Sequence, residues 1–109
     1  MDSRPLRIDV VTDTYLPEIN GVAMTIARLV RGLAGRGHEL TVIRACQAGE
    51  SEAAVSYLPR PGMHGTPEIV RRSFPLPGYP GVRLGMPCAG LFRRRWARLR
   101  PDVVHIVTE

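Results

Sequence analysis

The residues best placed to do chemistry lie in one short turn. An apolar run, Arg7 to Thr12, ends in Asp13 and Thr14. A turn containing Pro17, Glu18, Asn20 and Gly21 follows, and from Gly21 onward the sequence has helical spacing. A loop that leaves the C-terminal end of a strand and enters a helix is where open α/β sheets bind ligands. The start of the helix also brings unpaired backbone N–H groups and the positive end of a dipole, which suit a phosphate. Gly21 has no side chain, so an anion can come close to the backbone. Asn20 is a good helix cap, and Glu18 can reach a polar ligand. The same residues also suit a tight turn that binds nothing, and both readings stand at this point. Neither the dinucleotide fingerprint GxGxxG nor a phosphate loop ending in GK[ST] is present.

The other reactive side chains are scattered. His38 precedes an apolar run and reads as a structural residue entering a strand, while His64 sits among prolines and glycines and reads as solvated. Cys46 and Cys88 lack CxxC spacing, and with the histidines so dispersed no zinc site is expected; the cysteines read as free thiols. No metal or resident cofactor is expected.

The elements that must position the turn can be read in order. Arg7 to Thr12 (RIDVVT) is rich in β-branched residues and predicts a strand. Gly21 to Gly35 predicts a helix, with Val22, Ile26, Leu29 and Leu33 on one face. Ala23, Ala27, Val30 and Ala34 widen that face with small side chains, and Gly35 and Gly37 stop the helix. Glu39 to Arg44 predicts a second strand, so strand, helix and strand form a crossover with parallel strands. Residues 45–53 read as a surface loop and Ala54 to Leu58 as a short strand. Pro59 to Pro67, with three prolines and two glycines in nine residues, reads as a mobile loop outside the core.

Glu68 to Phe74 predicts a strand, Pro75 to Gly81 a Pro/Gly loop, and Val82 to Met86 a short extended segment. Ala89 to Leu99 predicts an arginine-rich helix with Leu91, Phe92, Trp96 and Leu99 on its apolar face. Trp96 amid Arg93, Arg94 and Arg95 fits a helix lying on a membrane surface. The favoured reading is a helix whose tryptophan packs on the sheet while the arginines are solvated. Asp102 to Val107 is nearly all apolar and predicts a central parallel strand. The fold class is therefore α/β, with a Rossmann-like parallel sheet.

Composition narrows the function classes. Of 109 residues, 44% are hydrophobic and 23% charged, which are globular values and argue against disorder. No stretch reaches the roughly 18 apolar residues of a membrane span, and the N-terminus lacks a signal-peptide pattern, so a cytoplasmic setting is expected. The net charge is +5, and all fifteen basic residues are arginine. A complete lack of lysine points to coding bias rather than to a nucleic-acid surface.

Residues 12–42 closely resemble the N-terminal, acceptor-side domain of GT-B fold, family 4 retaining glycosyltransferases. The resemblance is carried by Thr12, Asp13, Tyr15 and Pro17, then Asn20-Gly21-Val22, then Leu33 and Gly37-His38-Glu39-Leu40-Thr41-Val42. RPDVVHI, Arg100 to Ile106, resembles the strand that follows later in that domain. FPLPGYPGVRL, Phe74 to Leu84, is similar to a subgroup containing mannosyltransferases and sulfoquinovosyl or related glycolipid-forming enzymes. Residues 45–67 carry no resemblance.

The resemblance implies transfer of a sugar from a nucleotide-diphosphate donor to an acceptor hydroxyl of a sugar, polyol or lipid. It implies that Gly21, with Asn20 and Val22 beside it, touches the donor diphosphate. Tyr15, Glu18, His105, Thr108 and Glu109 are the implied acceptor or cleft residues. One departure is visible: many relatives carry a second histidine where this chain has Val107, so no catalytic residue is carried over. His105 also has an ordinary structural reading within the sheet. Residues 1–109 are thus expected to be a partial glycosyltransferase domain that lacks its nucleotide-sugar-binding partner domain and is inactive alone. A stand-alone phosphate- or nucleotide-binding module is the rival reading. Membrane contact through Arg93, Arg94, Arg95 and Trp96 would suit a lipid acceptor.

Overall fold

The computed structural model describes residues 4–13, 15, 21–46, 56–62, 65–75, 77–78, 83–85 and 89–107. Their order is β1 (Arg7–Thr12), α1 (Gly21–Gly35), β2 (Glu39–Ala45), β3 (Ser56–Pro61), β4 (Pro67–Arg71), β5 (Ser73–Pro75), β6 (Arg83–Gly85), α2 (Ala89–Arg98) and β7 (Val103–Ile106). Five strands form one sheet in the order β3-β4-β2-β1-β7, and β5 pairs with β6 as a separate two-stranded ribbon. β1 runs parallel to both β2 and β7, and β2 runs parallel to β4; β3 alone is antiparallel to its neighbour. The architecture is the expected Rossmann-like α/β class.

Alternation along the strands divides the sheet into two faces. Ile8 and Val10 of β1 join Leu40 and Val42 of β2 on one face, where Ile26, Ala27 and Val30 of α1 close over them. The buried set on α1 is Ala23, Ile26, Ala27 and Val30, whereas Val22 and Leu29 are 40% and 39% exposed. The helix is therefore turned from the expected face. Its alanine side lies toward the sheet because small side chains allow the closest approach.

α1 ends in a hydrogen-bonded stop. Gly37 has φ 91°, a conformation that favours glycine. Its N–H donates to the Ala34 carbonyl and the His38 N–H donates to that of Leu33, satisfying groups the helix end would leave unpaired. His38 then accepts the Leu6 N–H on Nδ1 at 3.0 Å, which fixes the lead into β1. This is the structural role expected for it.

Pro59 to Pro67 does not behave as expected. Pro59, Arg60 and Pro61 belong to β3, Pro67 opens β4, and Thr66 is buried. Prolines are tolerated here because β3 is an edge strand and its pairing with β4 shifts register between Ser56 and Arg60. Glu68 to Phe74 is likewise two strands: it breaks at Arg72, and Ser73 starts the ribbon.

Under α1 lies a buried ion pair, Arg44 Nε to Glu68 Oε1 at 2.7 Å, with both side chains 7% exposed. Gly62 packs directly on the Glu68 side chain, and a β-carbon at position 62 would overlap Glu68 Cγ, Cδ and Oε2. Glu68 cannot swing away without breaking its ion pair with the buried Arg44. Gly62→Ala should therefore destabilise the fold by about 1–3 kcal/mol, as overpacking does. Denaturant unfolding checks this, and an unchanged midpoint would mean that Glu68 moves at no cost.

The second face is held differently. Asp9, fully buried in β1, accepts from Arg95 Nε at 2.8 Å, Arg95 Nη2 at 2.9 Å and Trp96 Nε1 at 2.8 Å. Phe92 stacks on Trp96 with ring centroids 5.0 Å apart. This corrects the reading of Arg95 and Trp96 as membrane-facing. A buried carboxylate needs a cation and donors, and these two side chains supply them. Arg93, Arg94 and Arg98 remain exposed. Finally, β7 is an edge strand among the described residues rather than a central one, with Val103 44% and Ile106 65% exposed.

Candidate functional site

The parallel strands β1, β2 and β4 end on the same side of the sheet, at Thr12, Ala45 and Arg71. α1 follows β1 in the chain, and Gly21 is its first residue. Gly21 is exposed, and among the described residues, its chain neighbours and own helix backbone aside, a β-carbon built on it meets no atom within 4 Å. Val22 beside it is 40% exposed. The Thr25 hydroxyl donates to the Gly21 carbonyl at 2.8 Å within the first turn of the helix. No acidic residue occupies that turn. A helix start of this kind presents the positive end of a dipole, which suits an anion.

The other expected site residues separate. Asn20, Glu18, Thr108 and Glu109 lie outside the described residues. Tyr15 is 2% exposed and packs with Ile8, Val10, Ile26 and Val42. Its ring therefore fills the core beneath α1 instead of standing in an open cleft, because burying a large aromatic ring gains more than leaving it wet. Burial pushes the Tyr15 phenol above its usual pKa; the Glu68 carboxylate adds to the rise, and Arg31 and Arg44 oppose it. The raised folded value means that this contribution to stability is complete below the unfolded value of about 10 and is lost as pH rises through the folded one. Between about pH 9 and 11 the protein should thus lose more stability than its Tyr15→Phe variant; parallel pH profiles from urea unfolding would refute this.

His105 is exposed on β7, paired in register with Val10. It stands on the edge strand beside β1, at the level of Val10 rather than at the strand's end. Among the described residues, no cluster of three or more His, Cys, Asp or Glu side chains could hold a metal ion. A groove of about 540 Å³ lies at the opposite, N-terminal ends of the strands, against Arg7, Glu39, Leu40, Pro67 and Arg95. That is the wrong end of the sheet for a ligand of this fold.

Sequence reasoning missed Arg71. Its Nη2 donates to Asp13 Oδ1 at 2.6 Å and to the Thr12 carbonyl at 3.4 Å, across the sheet from β4 to β1. The only signal available was a charged residue at the end of an otherwise apolar strand.

Residues 19–109 match the sequence profile of Glycosyltransferase Family 4. The chain belongs to glycosyltransferase family 4. As a family 4 chain it is 33% identical, over 105 residues, to an alpha-monoglucosyldiacylglycerol synthase of Acholeplasma laidlawii. It is 27% identical over 106 residues to a GDP-mannose-dependent alpha-mannosyltransferase of Corynebacterium glutamicum. These alignments cover 95% and 96% of this chain but 24% of each relative, so the chain spans about a quarter of their length. No solved structure matches it. By this resemblance the chain is glycosyltransferase family 4-like. No helix among the described residues is long and apolar enough to cross a membrane.

Proposed function

We propose that this chain forms the acceptor-side part of a retaining glycosyltransferase, which moves a sugar from a nucleoside-diphosphate donor to an acceptor hydroxyl. In this reading Gly21 and Val22, with Asn20 before them, hold the donor diphosphate. The observation that carries it is the start of α1: Gly21 is exposed, a β-carbon there meets no described residue beyond its chain neighbours, and the first turn of the helix holds no acidic residue. Backbone N–H groups fixed there would stabilise the charge that grows on the departing diphosphate. The chain alone is expected to transfer no sugar, because the donor's nucleotide would sit mainly on a second domain.

A lipid acceptor is favoured by the relative named for diacylglycerol and by the exposed Arg93, Arg94 and Arg98 on α2. Peripheral contact with an anionic membrane through those arginines belongs to the same reading, now without Arg95 and Trp96. The rival reading, a stand-alone phosphate- or nucleotide-binding module, differs in what the site discriminates.

Titration of the labelled protein with GDP, UDP and inorganic phosphate, followed by amide NMR, tests both. Shifts at Gly21 and Val22 that saturate with a nucleoside diphosphate support the donor site. Equal shifts with phosphate alone favour the module, and no shift at these residues with any of the three ends the proposal.

A further inference from the structure

We infer that Arg71 is a positioning residue for the proposed diphosphate turn: it ties the end of β4 to the end of β1 and so fixes where the chain departs toward Gly21. The inference rests on the donor-site reading for its function, and on the following geometry for its mechanism.

Three strand tips meet through this one residue. Its side chain reaches β1, where Nη2 binds Asp13 Oδ1 at 2.6 Å and the Thr12 carbonyl at 3.4 Å. Its backbone holds β2, since the Arg71 carbonyl accepts the Cys46 N–H at 2.8 Å. The hydroxyl of Ser73 then donates to the Cys46 carbonyl, extending the link by one more residue. β2 lies between β1 and β4, so the guanidinium must pass over it. The register shows how: Ala45 pairs with Arg71, and Asp13 continues the pairing of Thr12 with Arg44. Asp13, Ala45 and Arg71 therefore share one face at one level. Alanine in the middle leaves the space the guanidinium fills, and Ala45 is fully buried.

The link has a cost that a purely structural contact would not need. Arg71 is 9% exposed, and its Nε is buried with no acceptor among the described residues. A buried donor left unpaired is destabilising. Asp13, by contrast, keeps its side chain 34% exposed and could be solvated without help. The arginine thus gives up one hydrogen bond of its own to hold a residue that does not require it. Such local sacrifices cluster where position matters more than stability.

The test compares Arg71→Gln, Arg71→Lys and Ala45→Leu with the unaltered chain, using amide NMR, thermal unfolding and the fluorescence of Trp96, the only tryptophan. Trp96 lies on α2 and reports on the rest of the fold. In Arg71→Gln, ligand-free amide signals of Thr12, Asp13, Gly21 and Val22 should shift while Trp96 emission stays constant. GDP or UDP affinity should fall about tenfold, the order expected for a misplaced site. Arg71→Lys, which can still bind Asp13, should recover most of that loss. Ala45→Leu should mimic Arg71→Gln without touching the charge.

Unchanged signals at Gly21 and Val22 in Arg71→Gln would overturn the inference. So would a lysine variant no better than glutamine. If the unaltered chain binds no nucleoside diphosphate, the donor-site reading fails, and the ligand-free signals still decide whether Arg71 positions the turn.

Discussion

Asp9→Ala should destabilise the protein by about 3–5 kcal/mol, the cost of removing one partner from a buried charge pair. That is a large share of the roughly 5–15 kcal/mol that holds a domain together. The substitution would leave the Arg95 guanidinium, 8% exposed, without its bidentate carboxylate, and the Trp96 N–H without its acceptor. Because this cluster is the polar attachment of α2 to the sheet, the helix should loosen before the rest of the molecule unfolds. Trp96 emission should shift to the red and become quenchable by iodide. Denaturant unfolding followed by both fluorescence and circular dichroism measures the two effects together. A variant with the original emission and midpoint would show that α2 does not depend on the cluster. The paired replacement Asp9→Leu with Arg95→Met should recover much of the loss, since apolar pairs of similar volume substitute well for buried ion pairs.

Gly21→Val should do the reverse, leaving the fold alone and abolishing ligand binding. Among the described residues beyond its chain neighbours nothing lies within 4 Å of a β-carbon on Gly21, and its backbone does not adopt a conformation that only glycine tolerates. The stability change should therefore stay within about 1 kcal/mol, the scale of helix propensity. The added isopropyl group would stand where an approaching phosphate needs the backbone N–H groups. Loss of a single donor of this kind costs about 10²–10³-fold in enzymes that stabilise an oxyanion this way. The expected result is a nucleoside-diphosphate affinity too weak to saturate, with an unchanged melting curve. Wild-type affinity in Gly21→Val would remove Gly21 from the site and the proposed function with it.

Much of the fold was legible because local pattern and global role agree. RIDVVT is β-branched and apolar and is a strand; Gly21 to Gly35 carries helical spacing and is the helix within those bounds. The Gly37-His38 stop also behaves as its residue types suggest. Reading failed where a tertiary partner decides the outcome. Nothing in the spacing of Ala89 to Leu99 shows that Arg95 and Trp96 point at Asp9, because their partner lies 86 and 87 residues earlier. The prolines at 59 and 61 look like a loop until β4 gives them a neighbour. Tyr15 looks like a cleft residue by position in its motif, and its burial depends on α1 closing over it. At the site itself, Gly21 was visible from sequence, whereas Arg71 required knowing that Ala45 sits between two strand ends.

The contrast between the two borders of the sheet bears on how this fold can be enlarged. On one side β3 runs against its neighbour, carries Pro59 and Pro61, and shifts register, so it makes a poor template for any newcomer. On the other, β7 presents Val103 and Ile106 to solvent beside an unbroken parallel ladder on β1. Among the described residues, β7 is the border better suited to accept a further strand. The lineage could lengthen its sheet past β7 by insertion or fusion while everything from β3 to β1, including the glycine turn, stayed in place.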